Sequence, residues 1–385
     1  MQRALVWPLA LVFIGCGGTQ ETPSPSATQP TVATATPTGT TAPYEVHEWG
    51  LLRAGAGDVL DVGAISPPGS YEAMAVDKPV LYFHASGQVR LEHVRVEAVG
   101  GAIREHWPLT GGAAFPTSID WRGLSLDGSV SAGGAGCAGA FPTSSSRPCS
   151  DLARGEECET QGLGIVVSPS ATCLQGDYAR QPFLFYRSRT ATFTPPLRVS
   201  ALPSGELELT NAGDLPIPGW VVRIRRTGGL ARTLAMRAPA AHATIRLGSN
   251  FASAVAPVAD IPPSDESERA SDSPAPPGSE EPGRQAVRIT LRELGLDAGE
   301  TDAFLRAWDA TLFGDRMVPL VDRPRRAADG DRAPIDVLTV DSRMAASDSI
   351  LYFLPEATCD GVASLSFVPA PTRVRRALAV WQLAR

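Results

Sequence analysis

A chain of 385 residues with 43% hydrophobic side chains has enough apolar material for a sizeable core, and its 34 prolines and 37 glycines imply many turns. A formal charge of −7 excludes a general affinity for nucleic-acid phosphates. Lys78 is the only lysine. It sits in neither a Walker A loop nor a Ser-x-x-Lys context, so both of those chemistries are removed.

Residues 1–16 have a short cationic start at Arg3, an apolar run from Ala4 to Ile14, and then Gly15-Cys16. That run has the length of a secretory h-region and is short for a bilayer span. Phe13-Ile14-Gly15-Cys16 resembles a bacterial lipobox, so Cys16 is the expected site of acylation and the expected membrane anchor. Residues 17–43 are Thr, Ser, Pro, Ala and Gln with almost no large apolar side chain, the composition of a disordered spacer.

Residues 44–255 read as a β-rich body. Tyr44 to Leu52 alternates as a strand, with Val46, Glu48 and Gly50 on one side and Glu45, His47, Trp49 and Leu51 on the other. Asp77 to His84 is the strongest strand signal, and Ser86-Gly87 suggests a hairpin into Gln88 to Val99. There the apolar positions shift phase around His93, as a β-bulge would make them do. Ile103 to Trp107 reads as another strand. A Gly/Ser-rich, cysteine-bearing insertion is expected over 128–175. Phe183 to Arg187 restores a buried strand, and Leu197 to Ala201, Glu206 to Asn211 and Trp220 to Arg226 have the spacing of an antiparallel meander. His242 to Leu247 adds a further strand.

Residues 256–284 read as a disordered acidic loop, which could also divide two domains, and 285–385 as a helix plus strands that complete the body. The helix is expected near 298–313. Asp297 is its N-cap, Glu300 completes a capping box, and Phe304, Leu305, Trp308, Leu312 and Phe313 make one apolar face. Strands follow at Ile350 to Leu354, Ala363 to Val368 and Val374 to Leu383. The expected class is mainly β with an α+β flavour, an antiparallel sandwich-like body crossed by this helix.

Val46-His47-Glu48-Trp49-Gly50, Lys78 to Phe83 and Phe183 to Arg187 together resemble the landmarks of an uncharacterised bacterial family of planctomycete and myxobacterial type. Its members open on V-H-E-W-G-T-F. The resemblance runs from Tyr44 to the C-terminus and includes Trp308 on the helix, Ile350 to Pro355, and Pro369-Ala370-Pro371 before the last strand. This chain departs from it at Leu51-Leu52, in the cysteine-rich insertion and in the acidic loop. The resemblance implies common ancestry and a bacterial envelope setting, and it carries no catalytic residue across.

Four cysteines, Cys137, Cys149, Cys158 and Cys173, crowd the insertion of an exported chain and read as two disulfides with three possible pairings. A zinc site is the rival reading, though no C-x-x-C pair supports it. Cys359 is left as a buried thiol or a longer-range partner. His47, His84, His93, His106 and His242 are the histidines, and Glu48, Glu92 and Glu105 adjoin three of them. Such a set suits metal-assisted hydrolysis, with histidines as ligands and a glutamate as base. His47-Glu48 lacks the second histidine of a helical zincin, so His47, Glu48, His84 and His93 stand as weak candidates and the spacing assigns no metal ligand. Gly134 to Gly139 fits G-x-G-x-x-G without the flanking strand and helix, and Gly123 to Asp127 lacks the second glycine of a nucleophile elbow. Trp49, Trp107, Trp121 and Trp220 could line a glycan platform or fill the core. The first expectation is therefore a lipid-anchored, non-catalytic surface or interaction protein of the bacterial envelope, with no cofactor and with an envelope protein or glycan as partner. The alternatives are a metal-assisted hydrolase and a glycan-binding module.

Overall fold

A computed structural model describes residues 42–54, 74–108, 110, 116–137, 167–176, 180–190, 193–227, 230–251, 281–313 and 346–384. The lipobox cysteine Cys16, the spacer up to residue 41, Cys149, Cys158 and the acidic loop up to residue 280 lie outside the described residues. Strands in chain order are β1 (Tyr44–Ala54), β2 (Met74–Ala85), β3 (Gln88–Ala98), β4 (Gly101–Trp107), β5 (Ser118–Ser131), β6 (Thr172–Gln175), β7 (Arg180–Gln181) and β8 (Leu184–Thr190). Then come β9 (Leu197–Ala201), β10 (Leu207–Asn211), β11 (Trp220–Thr227), β12 (Leu230–Arg237) and β13 (Thr244–Leu247). Two helices follow, α1 (Pro282–Glu293) and α2 (Ala298–Leu312), before β14 (Ala346–Phe353), β15 (Ala363–Val368) and β16 (Arg373–Leu383).

The strands form three sheets. The largest has the order β12-β11-β14-β16-β1-β2-β8-β4, the second β15-β3-β5-β6-β7, and the third β13-β10-β9. Alternation along β1 decides how they stack. Trp49 and Leu51 pack with Tyr82, Phe185, Phe353 and the apolar faces of both helices. The opposite face carries Val46 with Leu81, Phe83 and Tyr186 against the second sheet, and Leu52 with Tyr352 and Val380 against the third. The mainly β, α+β expectation is met, with helices on one side of the large sheet and two small sheets on the other. Pairing is antiparallel except that β16 runs parallel to β1, which brings the chain's last strand beside its first.

Several local expectations change. No hairpin joins β2 to β3. β2 is held between β1 and β8, while β3 lies between β5 and β15 in another sheet. The short Ser86-Gly87 link folds one strand over the other, so that Leu81 and Phe83 face Val89 and Leu91 across one core. Edge-to-edge pairing would have left one of those apolar rows uncovered. The phase shift at His93 is real, with Val89 and Leu91 buried before it and Val94 and Val96 after it. It is not a one-strand bulge, because β5 shifts phase opposite it at Gly123, whose φ of 65° takes up the change, and the register is preserved. The supposed meander divides: β9 and β10 pair, β13 joins them, and β11 leaves with β12 for the large sheet.

Strands β5 and β6 reach into the stretch read as a core-less insertion. Helix α1 begins at Pro282, inside the stretch assigned to the acidic loop. There Pro follows the N-cap Glu281, whose side chain accepts from Arg284 N, so a Pro-Gly pair that resembles a turn opens a helix instead. Helix α2 has the expected capping box. Its Phe304 and Leu312 are fully buried and Trp308 nearly so, each contributing about 2–3 kcal/mol of apolar burial. Those anchors fix the N-terminal turn of α2 against β1.

Candidate metal centre

At that turn three side chains from three elements meet. His47 on β1 and His84 on β2 both project to the helical face, because Glu45 stands opposite His84 and His47 opposite Tyr82 in the antiparallel register. Their rings lie 4.4 Å apart. Glu300, the third residue of α2, comes down between them. His47 Nδ1 lies 2.8 Å from Glu300 Oε2 and 3.1 Å from Oε1, and His84 Nε2 lies 2.8 Å from Oε1. Glu300 also completes the capping box, accepting from Asp297 N at 3.0 Å while Asp297 Oδ1 accepts from Glu300 N at 2.8 Å. One fully buried carboxylate thus caps a helix and holds two imidazoles.

Burial alone would raise the Glu300 pKa, but the hydrogen bonds and charges of His47 and His84 outweigh it and hold the group down at about 2. For His84 burial works against the proton, and the Glu300 contact, Asp297 and a hydrogen bond to the Ser170 backbone reverse it, raising its pKa. Each ring has a further oxygen neighbour: His84 the Ser170 backbone, and His47 the Glu45 carboxylate, 3.6 Å from Nε2. Ligating histidines are oriented by such outer partners. His47, His84 and Glu300 offer ligand atoms all within 4.8 Å of one another, a buried cluster able to coordinate a metal ion. The donor set is two imidazoles and one carboxylate, as in three-ligand catalytic zinc sites.

The segment from Ser168 to Ala171 packs on the start of α2. Ser170 Oγ donates to Asp297 Oδ2, and a Cβ on Gly299 would meet Pro169 Cδ at 2.9 Å, so only glycine allows this approach. Between that segment and the β2 end lies a groove of about 460 Å³, whose wall includes Glu45, His84, Ser129, Ser131, Ser170 and Thr172. His84 therefore joins the buried cluster to an open surface. The disulfide Cys137–Cys173, one of the pairings left open by sequence, ties β6 beside this groove.

The remaining candidates lie elsewhere. Glu48 points to the opposite face of β1, accepting from Tyr186 Oη at 2.6 Å and from Arg376 Nε at 2.5 Å. It is part of a buried ion pair between adjacent strands of the large sheet and not a base at the cluster. His93, with its neighbour Glu92, belongs to β3 in the second sheet. His106 accepts from Thr110 N at 2.9 Å, and burial pushes its pKa down. Glu105 lies on β4. His242 occupies a turn at φ 57° beside Asp214. The tryptophans share no exposed platform: Trp49 is buried under α2, Trp121 is buried in the other core, and Trp107 and Trp220 are partly covered. Burial pushes the free thiol of Cys359 up to about 12. Glu300, the residue the histidines needed, was visible in sequence only as a capping-box glutamate. No family model matches the chain, and no curated protein matches it.

Proposed function

We propose that this protein is a metal-assisted hydrolase whose ion is held by His47 Nδ1, His84 Nε2 and the Glu300 carboxylate. One observation carries the reading: three ligating groups from β1, β2 and α2 converge beside a groove. A structural zinc site closes its shell with four protein ligands, whereas a catalytic one keeps a position open. Here three residues converge among the described residues, and the groove would give water and substrate access. A divalent ion bound there would polarise a substrate carbonyl and make a nucleophile of water near neutral pH. The chain's own part is to orient the two rings through Glu45 and Ser170, and to keep Glu300 ionised in a buried position. These features favour the metal-assisted alternative over a non-catalytic surface protein.

The test is elemental analysis of the full chain after loading with Zn(II) or Mn(II) and dialysis. Stoichiometric metal is expected in the parent, with loss in His84→Ala and Glu300→Gln. A folded parent that retains no metal would sink the reading and leave the cluster as a hydrogen-bonded clamp for α2. The lipobox supports an anchored envelope location, and the V-H-E-W-G opening supports membership of the uncharacterised family. Fatty-acid labelling of the parent beside Cys16→Ala tests the anchor, and equal labelling would refute it.

A further inference from the structure

The groove presents acceptors, and that limits what can enter it. Four hydroxyls on its wall give their protons to groups that can only accept. Ser129 Oγ donates to Asp127 Oδ1 at 2.6 Å, Ser131 Oγ to Pro169 O, Ser170 Oγ to Asp297 Oδ2 and Thr372 Oγ1 to Tyr44 O at 2.8 Å. Ser131 Oγ also accepts from Gly133 N and Ser170 Oγ from Ser168 Oγ, so what these hydroxyls offer a ligand is their remaining lone pairs. Thr172 Oγ1 already receives the Ala85 N–H at 2.9 Å. The remaining charged side chain on the wall is Glu45, and no lysine or arginine is among the described residues that line the groove.

The charge balance points the same way. The two positive charges of a divalent ion would be offset by Glu300 and Glu45, with Asp297 close behind. Phosphoryl transfer depends on an excess of cationic groups around the transferred phosphate; Arg373 and Arg375 stand beside Glu45 and His47 in the β1–β16 register, but neither is among the described residues that line the groove. We infer that the substrate of the proposed hydrolase is an uncharged carboxylic amide, whose N–H groups meet the acceptor wall, and not a phosphate ester or other anion. In that reaction the oxygen of water bonds to the acyl carbon and the bond from that carbon to nitrogen breaks. The proton lost by water ends on the nitrogen of the departing amine. No redox partner is required.

This inference rests on the metal-centre reading, and the experiment separates the two. The full chain is loaded with Zn(II), its metal content is measured, and it is titrated calorimetrically with N-methylacetamide, a neutral amide, and with inorganic phosphate. The amide is expected to bind at least about tenfold more tightly than phosphate. Glu45→Gln, a change at a part-exposed side chain, should strengthen phosphate binding by about tenfold through loss of one nearby negative charge. Zinc retained with phosphate the tighter ligand, or with phosphate affinity unmoved by Glu45→Gln, overturns the substrate assignment alone. Absence of stoichiometric zinc overturns the metal centre and the assignment with it.

Discussion

His47 and Glu48, adjacent in sequence, belong to different layers of the protein. His47 meets Glu300 on the helical face of β1, while Glu48 meets Arg376 between the large sheet and its neighbours. Both members of the Glu48–Arg376 pair are buried, and Arg376 reaches on to Asp360 at 2.7 Å. Removing one partner of a buried ion pair strands the other, at a cost of about 3–5 kcal/mol. Glu48→Gln should therefore lower the unfolding free energy by about that much in urea titrations, without selective loss of metal. Replacing both residues by methionine should recover most of the stability, because the uncompensated charge then disappears. Equal stability of Glu48→Gln and the parent would contradict the pairing.

Variants of the cluster should differ in losing metal. Glu300→Gln keeps a side-chain oxygen for the Asp297 N–H, so the cap largely survives, but it removes the anionic ligand. The expected signature is a destabilisation of about 3 kcal/mol, from the loss of the buried anion between two imidazoles more than from the cap, together with loss of the metal-dependent thermal shift. In the parent, free metal at about a hundred times its dissociation constant should add about 2.7 kcal/mol. Melting curves with metal and with chelator check both statements. A metal-dependent shift of the same size in Glu300→Gln would remove that residue from the site.

The two halves of this contrast differ in how far sequence could reach them. Period-2 alternation is local, and it correctly placed Glu45, His47 and Trp49 on one side of β1 and Glu48 on the other. The capping box was equally local, needing only Asp297 and Glu300. What joins them is not local: Glu300 lies 216 positions beyond His84, and nothing in either segment states that α2 docks over β1 and β2. The same reason explains the misplaced hairpin. Ser86-Gly87 is short enough for one, and only the occupancy of both edges of β2, by β1 and β8, forbids it. Helix α1 was missed for another cause, since Pro282-Gly283 resembles a turn until Glu281 is seen to cap the next residues.

The disulfide Cys137–Cys173 spans 36 positions, and closing a loop of that length restricts the unfolded chain by about 4 kcal/mol in the chain-entropy account. Cys137→Ser should cost about 2–4 kcal/mol, and reductant should shift the parent's urea midpoint in the same direction. Because Thr172 holds Ala85 N next to His84, the loss should extend to the groove and weaken metal retention. Full metal retention in Cys137→Ser would show that β6 keeps its place without the crosslink.

Acid should act through Asp348 as well as through Glu300. Partial burial raises the Asp348 pKa, but bonds from Arg223 at 2.8 Å and Arg225 at 3.0 Å outweigh this and depress the folded value below the usual carboxylate range. A depressed folded pKa means that the unfolded chain takes up the proton first as the pH falls. The stabilisation is therefore complete above the unfolded value of about 3.9 and drains away as the pH drops through the lower folded value. Arg223 is itself fully buried, and it also donates to Gly248 O at 2.7 Å and Gly205 O at 2.9 Å, so the pair joins β11 and β14 to the third sheet. Asp348→Asn should be less stable than the parent at neutral pH, because it leaves that guanidinium without its anion. Its urea midpoint should fall less steeply than the parent's on acidification below about pH 4, since one titrating group is gone. Parallel acid limbs for the two proteins would show that Asp348 is not a carboxylate that sets the acid sensitivity.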